Sequence, residues 1–199
     1  FKKKVLRFLD KKDKSVKFTS SANTILIKNN KLYGYNTDYI SAKIILKKLK
    51  FKNNFLILGD GAVAKTIYLV AKELKFKNIM LCSRKFKFRK WKLSKETSTI
   101  RWNKRNTIKF HVLINATSLG MKKKDNIPIL PQKIKFIRTI VDVVISDCSK
   151  LKKFSKKYKV KFIGGKEFSF YQAFEQFKIY TNKKINRNKV KTILKYNFN

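Results

Sequence analysis

Apolar residues in the middle of the chain form short continuous runs that alternate with stretches of helical periodicity. The run FLILG at 55–59 is apolar up to a glycine, which is typical of a strand buried on both faces. The stretch 62–75 repeats apolar residues at the three- and four-residue spacing of an amphipathic helix. Strands separated by helices or long connections predict a parallel sheet with helices on both faces. The remaining short strands of this unit are predicted at 78–84, 111–118, 139–145 and 160–165.

The two ends of the chain have a different pattern, so we divide the sequence into three parts. Residues 1–42 form a first lobe, residues 43–165 form the α/β unit with its parallel sheet, and residues 166–199 return toward the first lobe. The elements predicted outside the sheet are a helix at about 1–12, strands at 24–28 and 31–35, and helices at 39–50, 168–182 and 187–196.

Charge is the most unusual property of the composition. Lys and Arg number 51 against 11 Asp and Glu, which gives a formal net charge of +40. A basic excess of this size is typical of proteins that bind nucleic acid or anionic membranes. Only seven of these residues are Arg, however, and the Lys residues are spread over nearly every predicted helix. We therefore interpret the charge as compositional drift and expect no specific nucleic-acid partner.

The rest of the composition indicates a globular protein of the cell interior. Hydrophobic residues make up 43% of the chain, and no apolar run approaches the roughly 18 residues of a membrane span. Cys82 and Cys148 match no metal-ligand or redox spacing, so we expect reduced thiols and no metal. The chain opens on FKKKVLRFLD without Met. We expect a cytoplasmic, N-terminally truncated chain without a membrane partner, as a monomer or a homodimer.

The sharpest local motif is LGDGAVAKT at 58–66, which joins a predicted strand to a predicted helix. This is the order that a dinucleotide-binding turn requires. Gly59 permits the tight turn, Gly61 lets the backbone approach a pyrophosphate, and Ala64 allows the helix to pack closely on the strand. Free N–H groups at the start of the helix would then bind phosphate.

The end of the following strand indicates which dinucleotide is bound. An NAD site usually has an acidic residue there to hold the ribose 2′-hydroxyl, whereas NADP sites use Arg. Here the strand ends in Ser83, Arg84 and Lys85, with Lys87 close behind. The sequence therefore predicts NADP(H), although any segment of so basic a chain would tend to carry cations.

Asp38 has two interpretations that the residues around it leave open. It follows a Gly-Tyr-Asn-Thr turn and precedes an apolar-periodic run, so it is a good candidate for the N-cap of the next helix. A carboxylate is also a candidate for orienting a cationic proton donor beside a reacting oxygen.

The motifs taken together resemble the shikimate dehydrogenase (shikimate/quinate 5-dehydrogenase) family. Their order and spacing agree with that family over essentially all 199 residues. The resemblance implies a doubly wound, Rossmann-like NADP-binding lobe, joined to part of an α/β substrate lobe. The segments that carry it are GYNTD (34–38), GDGAVAK (59–65), INATSLGM (114–121), and GG (164–165) with FYQAFEQF (170–177).

The family also implies a reaction and a set of site residues. The reaction is the reversible reduction of 3-dehydroshikimate to the small-molecule substrate shikimate, with hydride from NADPH, in the chorismate and aromatic amino acid pathway. Lys2 and Asp38 match the catalytic lysine–aspartate pair, and Asn23 and Gln172, with Asp38, match substrate-binding positions. The cofactor-binding positions are Gly59, Asp60, Gly61, Ala62, Val63, Ser83, Arg84, Lys85, Thr117, Val143 and Gly165.

Several departures from the family pattern keep other functions open. The family's Ser-x-Ser grip on the substrate carboxylate, with about sixty residues of the substrate lobe, would be missing. Ile145 replaces a tyrosine that touches substrate, Glu167 replaces a glycine, and Asp60 would place a carboxylate near phosphate unless it points to solvent. The alternatives are a quinate or other cyclic hydroxy-acid dehydrogenase, a catalytically inactive fragment, or a basic nucleic-acid-binding protein on a Rossmann scaffold.

Overall fold

The computed structural model describes residues 1–147 and 149–193. Cys148, expected to be a reduced thiol, lies outside the described residues, as do residues 194–196 of the helix predicted at 187–196.

The first lobe contains a small sheet of three strands in the order β1-β3-β2. β3 pairs parallel with β1 and antiparallel with β2. The strands predicted at 24–28 and 31–35 are present as β2 and β3. The lobe's elements in chain order are a 3-10 helix at Lys4–Phe8, β1 (Lys11–Lys12), α1 (Lys14–Thr19), β2 (Thr24–Lys28) and β3 (Lys31–Tyr35).

The helix predicted at about 1–12 is wrong. After a single 3-10 turn the chain becomes extended and pairs with β3 as β1. Asp13 then starts a new helix, because its carboxylate accepts a hydrogen bond from the Val16 N–H at 3.1 Å. Leu9 packs tightly against Gly34, where a side chain would collide with it. The helical spacing of the apolar residues therefore reflects a small core shared by several elements.

The second unit is a six-stranded, all-parallel sheet in the order β6-β5-β4-β7-β8-β9. This is the strand order of a doubly wound, Rossmann-like sheet, which confirms the predicted fold class. The helices and strands that follow β3 along the chain are α2 (Thr37–Lys47), β4 (Asn53–Leu58), α3 (Ala62–Glu73), β5 (Lys77–Ser83), β6 (Thr97–Arg101), β7 (Val112–Asn115), α4 (Pro131–Ile134), β8 (Thr139–Asp142), α5 (Lys150–Lys157), β9 (Lys161–Ile163), α6 (Gly165–Thr181) and α7 (Arg187–Ile193).

Both faces of this sheet are covered by helices. Along β4, Phe55 and Ile57 join one buried cluster, which includes residues of α2, α3 and α6. Leu56 and Leu58 join the opposite cluster, which includes residues of α4 and α5. All four side chains are fully buried, as the continuous apolar run predicts for a central parallel strand.

Strand β6 was not predicted from the sequence. It lies at the edge of the sheet and pairs only with β5 in the strand order. Its sequence, TSTIR, has one large apolar residue, and none of its five residues is fully buried. An edge strand needs less apolar surface than a central one, so hydrophobic patterning misses it.

None of the helices within residues 1–147 and 149–193 combines the length and the apolar character that a membrane crossing requires.

The strand order predicts where in the sheet a ligand would bind. The order of connection reverses between β4 and β7, which are adjacent in the sheet. In open α/β sheets, ligands bind outside the carboxyl ends of the strands at such a switch point. The loop after β4 contains Gly59 and Gly61, and the loop after β7 contains Thr117.

Candidate active site

Asp38 lies in the first turn of α2 and is almost fully buried, with 1% of its surface exposed. The N-cap residue of this helix is Asn36. The interpretation of Asp38 as an N-cap is therefore wrong, because the helix begins one residue before it. Instead, the Asp38 carboxylate points to groups from three other parts of the chain.

Three side chains donate hydrogen bonds to this carboxylate. The Lys2 ammonium lies 2.5 Å from Oδ2. The Asn23 side-chain amide donates to Oδ1 at 3.1 Å, and the Gln172 amide donates to the same oxygen. The structure thus brings together all four residues that the family resemblance assigned to catalysis and substrate binding, from positions up to 170 residues apart.

Asn23 is held in the orientation that this contact needs. Its side-chain oxygen accepts from the Thr37 backbone N–H at 2.9 Å and from the Thr24 hydroxyl at 3.0 Å. Because the oxygen is engaged on that side, the NH₂ group is directed to Asp38.

Gln172 is placed by the packing of α6 against α2. The Ser41 hydroxyl of α2 donates to the Phe168 carbonyl of α6 at 2.7 Å, and both residues are buried. Glu167, one of the departures from the family pattern, forms a 2.6 Å ion pair with Lys48, the C-cap residue of α2. These contacts fix the helix whose second turn presents Gln172 to the carboxylate.

Lys2 is anchored through its backbone, while its ammonium remains accessible. Its carbonyl accepts from the Ala22 N–H at 3.0 Å, and 38% of its side chain is exposed. Burial and the nearby positive charge of Lys3, the next residue, lower the pKa of Lys65 on α3.

A cleft of about 290 Å³ opens at the switch point, along the carboxyl ends of β4, β5 and β7. Seven of the predicted cofactor-binding residues line it, and Ala62 and Val63 begin α3 at its rim. Val143 and Gly165 are not among its lining residues; they lie after β8 and at the start of α6. The seven are Gly59, Asp60, Gly61, Ser83, Arg84, Lys85 and Thr117.

The two glycines of the turn differ in what they contribute. Gly59 has φ = +115°, and a side chain there would come within 2.6 Å of the Ala116 carbonyl oxygen. Glycine is therefore required for the loops after β4 and β7 to approach each other. The space beside Gly61 is open, so the amino end of α3 is accessible to a phosphate group.

The rim of the cleft at the end of β5 is basic. Arg84 and Lys85 are exposed there, and Lys87 lines the same cleft. Lys87, Trp102 and Ser118 also line it but were not among the predicted site residues. Trp102 follows β6, the strand that hydrophobic patterning missed, so no sequence signal placed it near the other residues.

Asp60 does not point to solvent. Its Oδ2 accepts from the Ser83 hydroxyl at 2.8 Å and from the Lys87 backbone N–H at 3.2 Å. Of the two expectations for Asp60, the solvent-facing one is wrong, because the carboxylate lines the cleft and binds the segment that follows β5.

A buried polar pair orders the loop after β7. Asn115 donates to Asp142 at 2.9 Å and accepts from the Thr117 hydroxyl at 2.7 Å. Burial raises the pKa of the Asp142 carboxyl to about 6, against the lowering effect of hydrogen bonds from Val144, Asn115 and Ser149. The INATS motif thus connects Thr117, at the cleft, to the core of the sheet.

Across the described ranges 1–147 and 149–193, no three side chains of His, Cys, Asp or Glu are grouped so as to hold a metal ion. Cys82 is a buried free thiol whose pKa is raised by burial to about 11.

Comparison with known proteins gives matches along nearly the whole chain. The shikimate dehydrogenase (NADP(+)) of Pelagibacter ubique is 35% identical over 187 residues, covering 90% of this chain and 69% of the relative. The enzyme of the same name from Methanococcus vannielii is 31% identical over 210 residues, covering 96% and 73% respectively. No family model matches the chain.

Among solved structures, a chorismate mutase/shikimate 5-dehydrogenase fusion protein from Clostridium acetobutylicum superposes with a TM-score of 0.86. The match covers 98% of this chain and 73% of the fusion protein, at 24% identity. At that identity the similarity supports the fold.

Proposed function

This chain belongs to the shikimate dehydrogenase family, and we propose that its cleft carries the family's reaction. That reaction is the reversible, NADP-linked reduction of 3-dehydroshikimate to shikimate, in aromatic amino acid biosynthesis. The observation that carries the proposal is the convergence of Lys2, Asn23 and Gln172 on the buried carboxylate of Asp38. The sequence relatives named above carry the same activity in their names.

The cleft at the switch point fits a dinucleotide phosphate. Its turn has open space beside Gly61 at the amino end of a twelve-residue helix, and its β5 rim carries Arg84 and Lys85. Backbone N–H groups near Gly61 would hold the pyrophosphate, and the cations would hold the 2′-phosphate. When bound, NADPH supplies the hydride for the carbonyl carbon of the substrate.

Lys2 is proposed as the proton donor in the direction of reduction. The substrate's carbonyl oxygen gains negative charge as the carbon is reduced, and a cation within hydrogen-bond distance stabilises that charge. Lys2 can donate its proton to this oxygen, and it can receive the proton again during shikimate oxidation. Its partial exposure leaves the ammonium open to substrate.

Asp38 is proposed to hold Lys2 and to accept from substrate hydroxyls. Its position at 2.5 Å from the ammonium supports the first role, since a hydrogen bond to the carboxylate fixes where the ammonium lies. Both carboxylate oxygens already accept hydrogen bonds in this structure. A substrate hydroxyl would therefore share or replace the donors now supplied by Asn23 and Gln172.

A second candidate is the oxidation of quinate or another cyclic hydroxy acid. The observation that favours it is Ile145, which is 55% exposed after β8 and offers no hydroxyl to a substrate. Hydrogen-bonding positions discriminate strongly between substrates, and a hydrophobic side chain discriminates weakly. This residue would therefore widen the substrate range without removing the proton chemistry.

We also propose a division into lobes, an oligomeric state and a compartment for this enzyme. We place residues 1–42 in the substrate lobe, 43–165 in the NADP lobe and 166–199 in the returning helices. We propose a monomer or homodimer without a specific nucleic-acid partner. The buried free thiol of Cys82 is compatible with the reducing cytoplasm.

The direct test is oxidation of shikimate with NADP⁺, followed by the absorbance of NADPH. Quinate and NAD⁺ serve as matched alternatives at the same concentrations. Turnover of shikimate with NADP⁺ supports the proposal, and faster turnover of quinate would favour the second candidate. If the folded protein oxidises neither acid with either cofactor, the proposed activity is wrong for this chain.

A further inference from the structure

Asp60 occupies the middle position of the Gly-Asp-Gly turn, yet its carboxylate reaches across the cleft to the neighbouring strand. The acceptor atom is Oδ2, and the donors are the Ser83 hydroxyl at 2.8 Å and the Lys87 backbone N–H at 3.2 Å. Asp60 is half-buried, and Ser83 is 5% exposed. Both residues line the cleft, so the contact links the loop after β4 to the end of β5 and the residues that follow it.

Hydrogen bonds hold both ends of the loop after β5, residues 84–87. The Ser83 hydroxyl donates to Asp60 and also accepts from the Phe86 N–H at 2.9 Å. Phe86 has φ = 48°, in the left-handed region that a bulky residue rarely adopts. Such a conformation persists only when its surroundings hold it, and here the hydrogen bonds on either side of Phe86 do so.

The two residues between Ser83 and Phe86 are cations that line the cleft. Arg84 and Lys85 follow Ser83 directly and precede Phe86. Their side chains are exposed, so the loop backbone sets the positions from which they can reach a ligand. A loop held in one conformation loses less entropy when its side chains bind a ligand.

We propose that Asp60 is a positioning residue that sets the preference for NADP(H) over NAD(H) by holding the loop that carries Arg84 and Lys85. This inference rests on the proposed function, because it assigns the 2′-phosphate of NADP to that loop. Asp60 acts through its hydrogen bonds to Ser83 and Lys87, and it need not touch the cofactor.

The opposite effect is expected if only the charge of Asp60 matters. A carboxylate beside a phosphate turn repels every phosphate of either cofactor, so removing it would tighten NADP(H) and NAD(H) together. A loop-holding role predicts instead that the loss is confined to NADP(H), which alone carries the 2′-phosphate. The two roles therefore differ in sign and in selectivity.

The experiment compares Asp60→Ala with Asp60→Asn. The amide of the second variant has almost the same shape and can still accept from Ser83 and Lys87, whereas alanine removes both hydrogen bonds. Asp10→Ala is the control, because it also removes one negative charge and one backbone hydrogen bond (Leu32 N–H to Asp10, 2.7 Å), but in the first lobe. Dissociation constants for NADP⁺ and NAD⁺ are measured by quenching of tryptophan fluorescence, with Trp102 in the cleft.

Asp60→Ala is expected to weaken NADP⁺ binding about tenfold, the effect of losing hydrogen bonds to a charged acceptor, with NAD⁺ binding changed less than about twofold. Asp60→Asn and Asp10→Ala are expected to keep the preference of the unchanged protein. Equal weakening of both cofactors, tightening of both, or no change in Asp60→Ala would overturn the inference. Ser83→Ala, which removes the bridging hydroxyl, replaces Asp60→Ala if that variant does not fold.

A second measurement separates this inference from the proposed function. Amide hydrogen exchange at Phe86 and Lys87 is compared in the cofactor-free protein and in Asp60→Ala. Faster exchange at these two amides supports the holding role even if the unchanged protein binds no NADP⁺, a result that would contradict the proposed function alone. Unchanged exchange would show that Asp60 does not hold the loop.

Discussion

The side-chain amide of Asn115 donates to the Asp142 carboxylate at 2.9 Å, which joins the carboxyl ends of two neighbouring strands. The two residues are directly opposite each other in the register of β7 and β8. Both are buried, with 0% and 1% of their surfaces exposed. The pair connects the loop that carries Thr117 to the loop that carries Val143. Its protonation state should therefore influence both stability and the shape of the cleft.

The first prediction concerns the pH dependence of stability. Burial raises the pKa of Asp142 from 3.8 to about 6, so the folded protein binds this proton more tightly than the unfolded chain. The favourable contribution of protonated Asp142 to the free energy of unfolding is complete below its ordinary pKa of 3.8 and is lost as the pH rises through about 6. Between about pH 4 and pH 7, the free energy of unfolding of the wild-type protein should fall by up to about 3 kcal/mol more than that of the Asp142→Asn variant.

Denaturant unfolding of both proteins at a series of pH values checks this difference. Asp147→Asn is a control of opposite sign, because the hydrogen bond from Lys166 lowers the pKa of the Asp147 carboxyl. The contribution of Asp147 is therefore lost as the pH falls, not as it rises. Identical pH profiles for the unchanged protein and Asp142→Asn would show that Asp142 ionises as an ordinary carboxyl.

The sequence predicted those parts of the fold whose burial is uniform. The run Phe55–Leu58 is apolar at every position because helices cover both faces of the sheet, and β4 was predicted correctly for that reason. β6 was not predicted because an edge strand can be polar. The first twelve residues were predicted as a helix because the spacing of Val5, Leu6 and Leu9 is helical. These residues share a small core, but pairing with β3 makes the chain extended after the first 3-10 turn.

The candidate site could be predicted in its residue types but not in its contacts. The family resemblance selected Gln172 and Asp38, yet the contact between them depends on the packing of α6 against α2. The hydrogen bond from Ser83 to Asp60 joins two loops 23 residues apart. Hydrophobic periodicity carries no information about such a polar contact, so the role of Asp60 could only come from the structure.

A second prediction concerns the cations at the cofactor cleft. Arg84→Ala should weaken NADPH binding by about 1–3 kcal/mol, the usual cost of losing a charged hydrogen-bond partner. NADH binding should change little, because NADH lacks the 2′-phosphate. Arg138→Ala is the matched control, since Arg138 directly precedes β8 at the opposite, amino edge of the sheet. Fluorescence titration with both cofactors decides; equal affinity for NADPH and NADH in the unchanged protein would contradict the assignment.

A third prediction concerns the net charge of +40. If the Lys excess is compositional drift, binding to duplex DNA should be weak and should disappear by about 0.2 M salt, as expected for nonspecific phosphate contacts. Fluorescence anisotropy with labelled duplexes of two unrelated sequences measures this. Sequence-selective binding that survives such salt would show that the charge has a function.

A fourth prediction uses two glutamines on successive turns of α6. The Gln172 amide reaches Asp38, whereas the Gln176 amide donates to the Thr24 hydroxyl at 3.2 Å. Gln172→Ala should mainly raise the Michaelis constant for shikimate, as expected when binding common to the ground and transition states is removed. Gln176→Ala should leave that constant within about twofold. Equal effects of the two substitutions on steady-state shikimate oxidation would mean that Gln172 acts only by stabilising the helix.

The last prediction tests the ion pair between Lys2 and Asp38. Lys2→Ala should lower turnover by about 10²–10⁴-fold, the range for losing general acid–base catalysis, because it removes the ammonium that pairs with Oδ2 of Asp38. NADPH affinity should change little, since Lys2 is not among the residues that line the cofactor cleft.

Asp38→Asn should impair both turnover and shikimate affinity, because the amide cannot accept from Lys2, Asn23 and Gln172 together. Lys3→Ala removes the adjacent lysine and should retain turnover. Near-native shikimate oxidation by Lys2→Ala would show that Lys2 is an ordinary surface lysine and that the proton comes from another group.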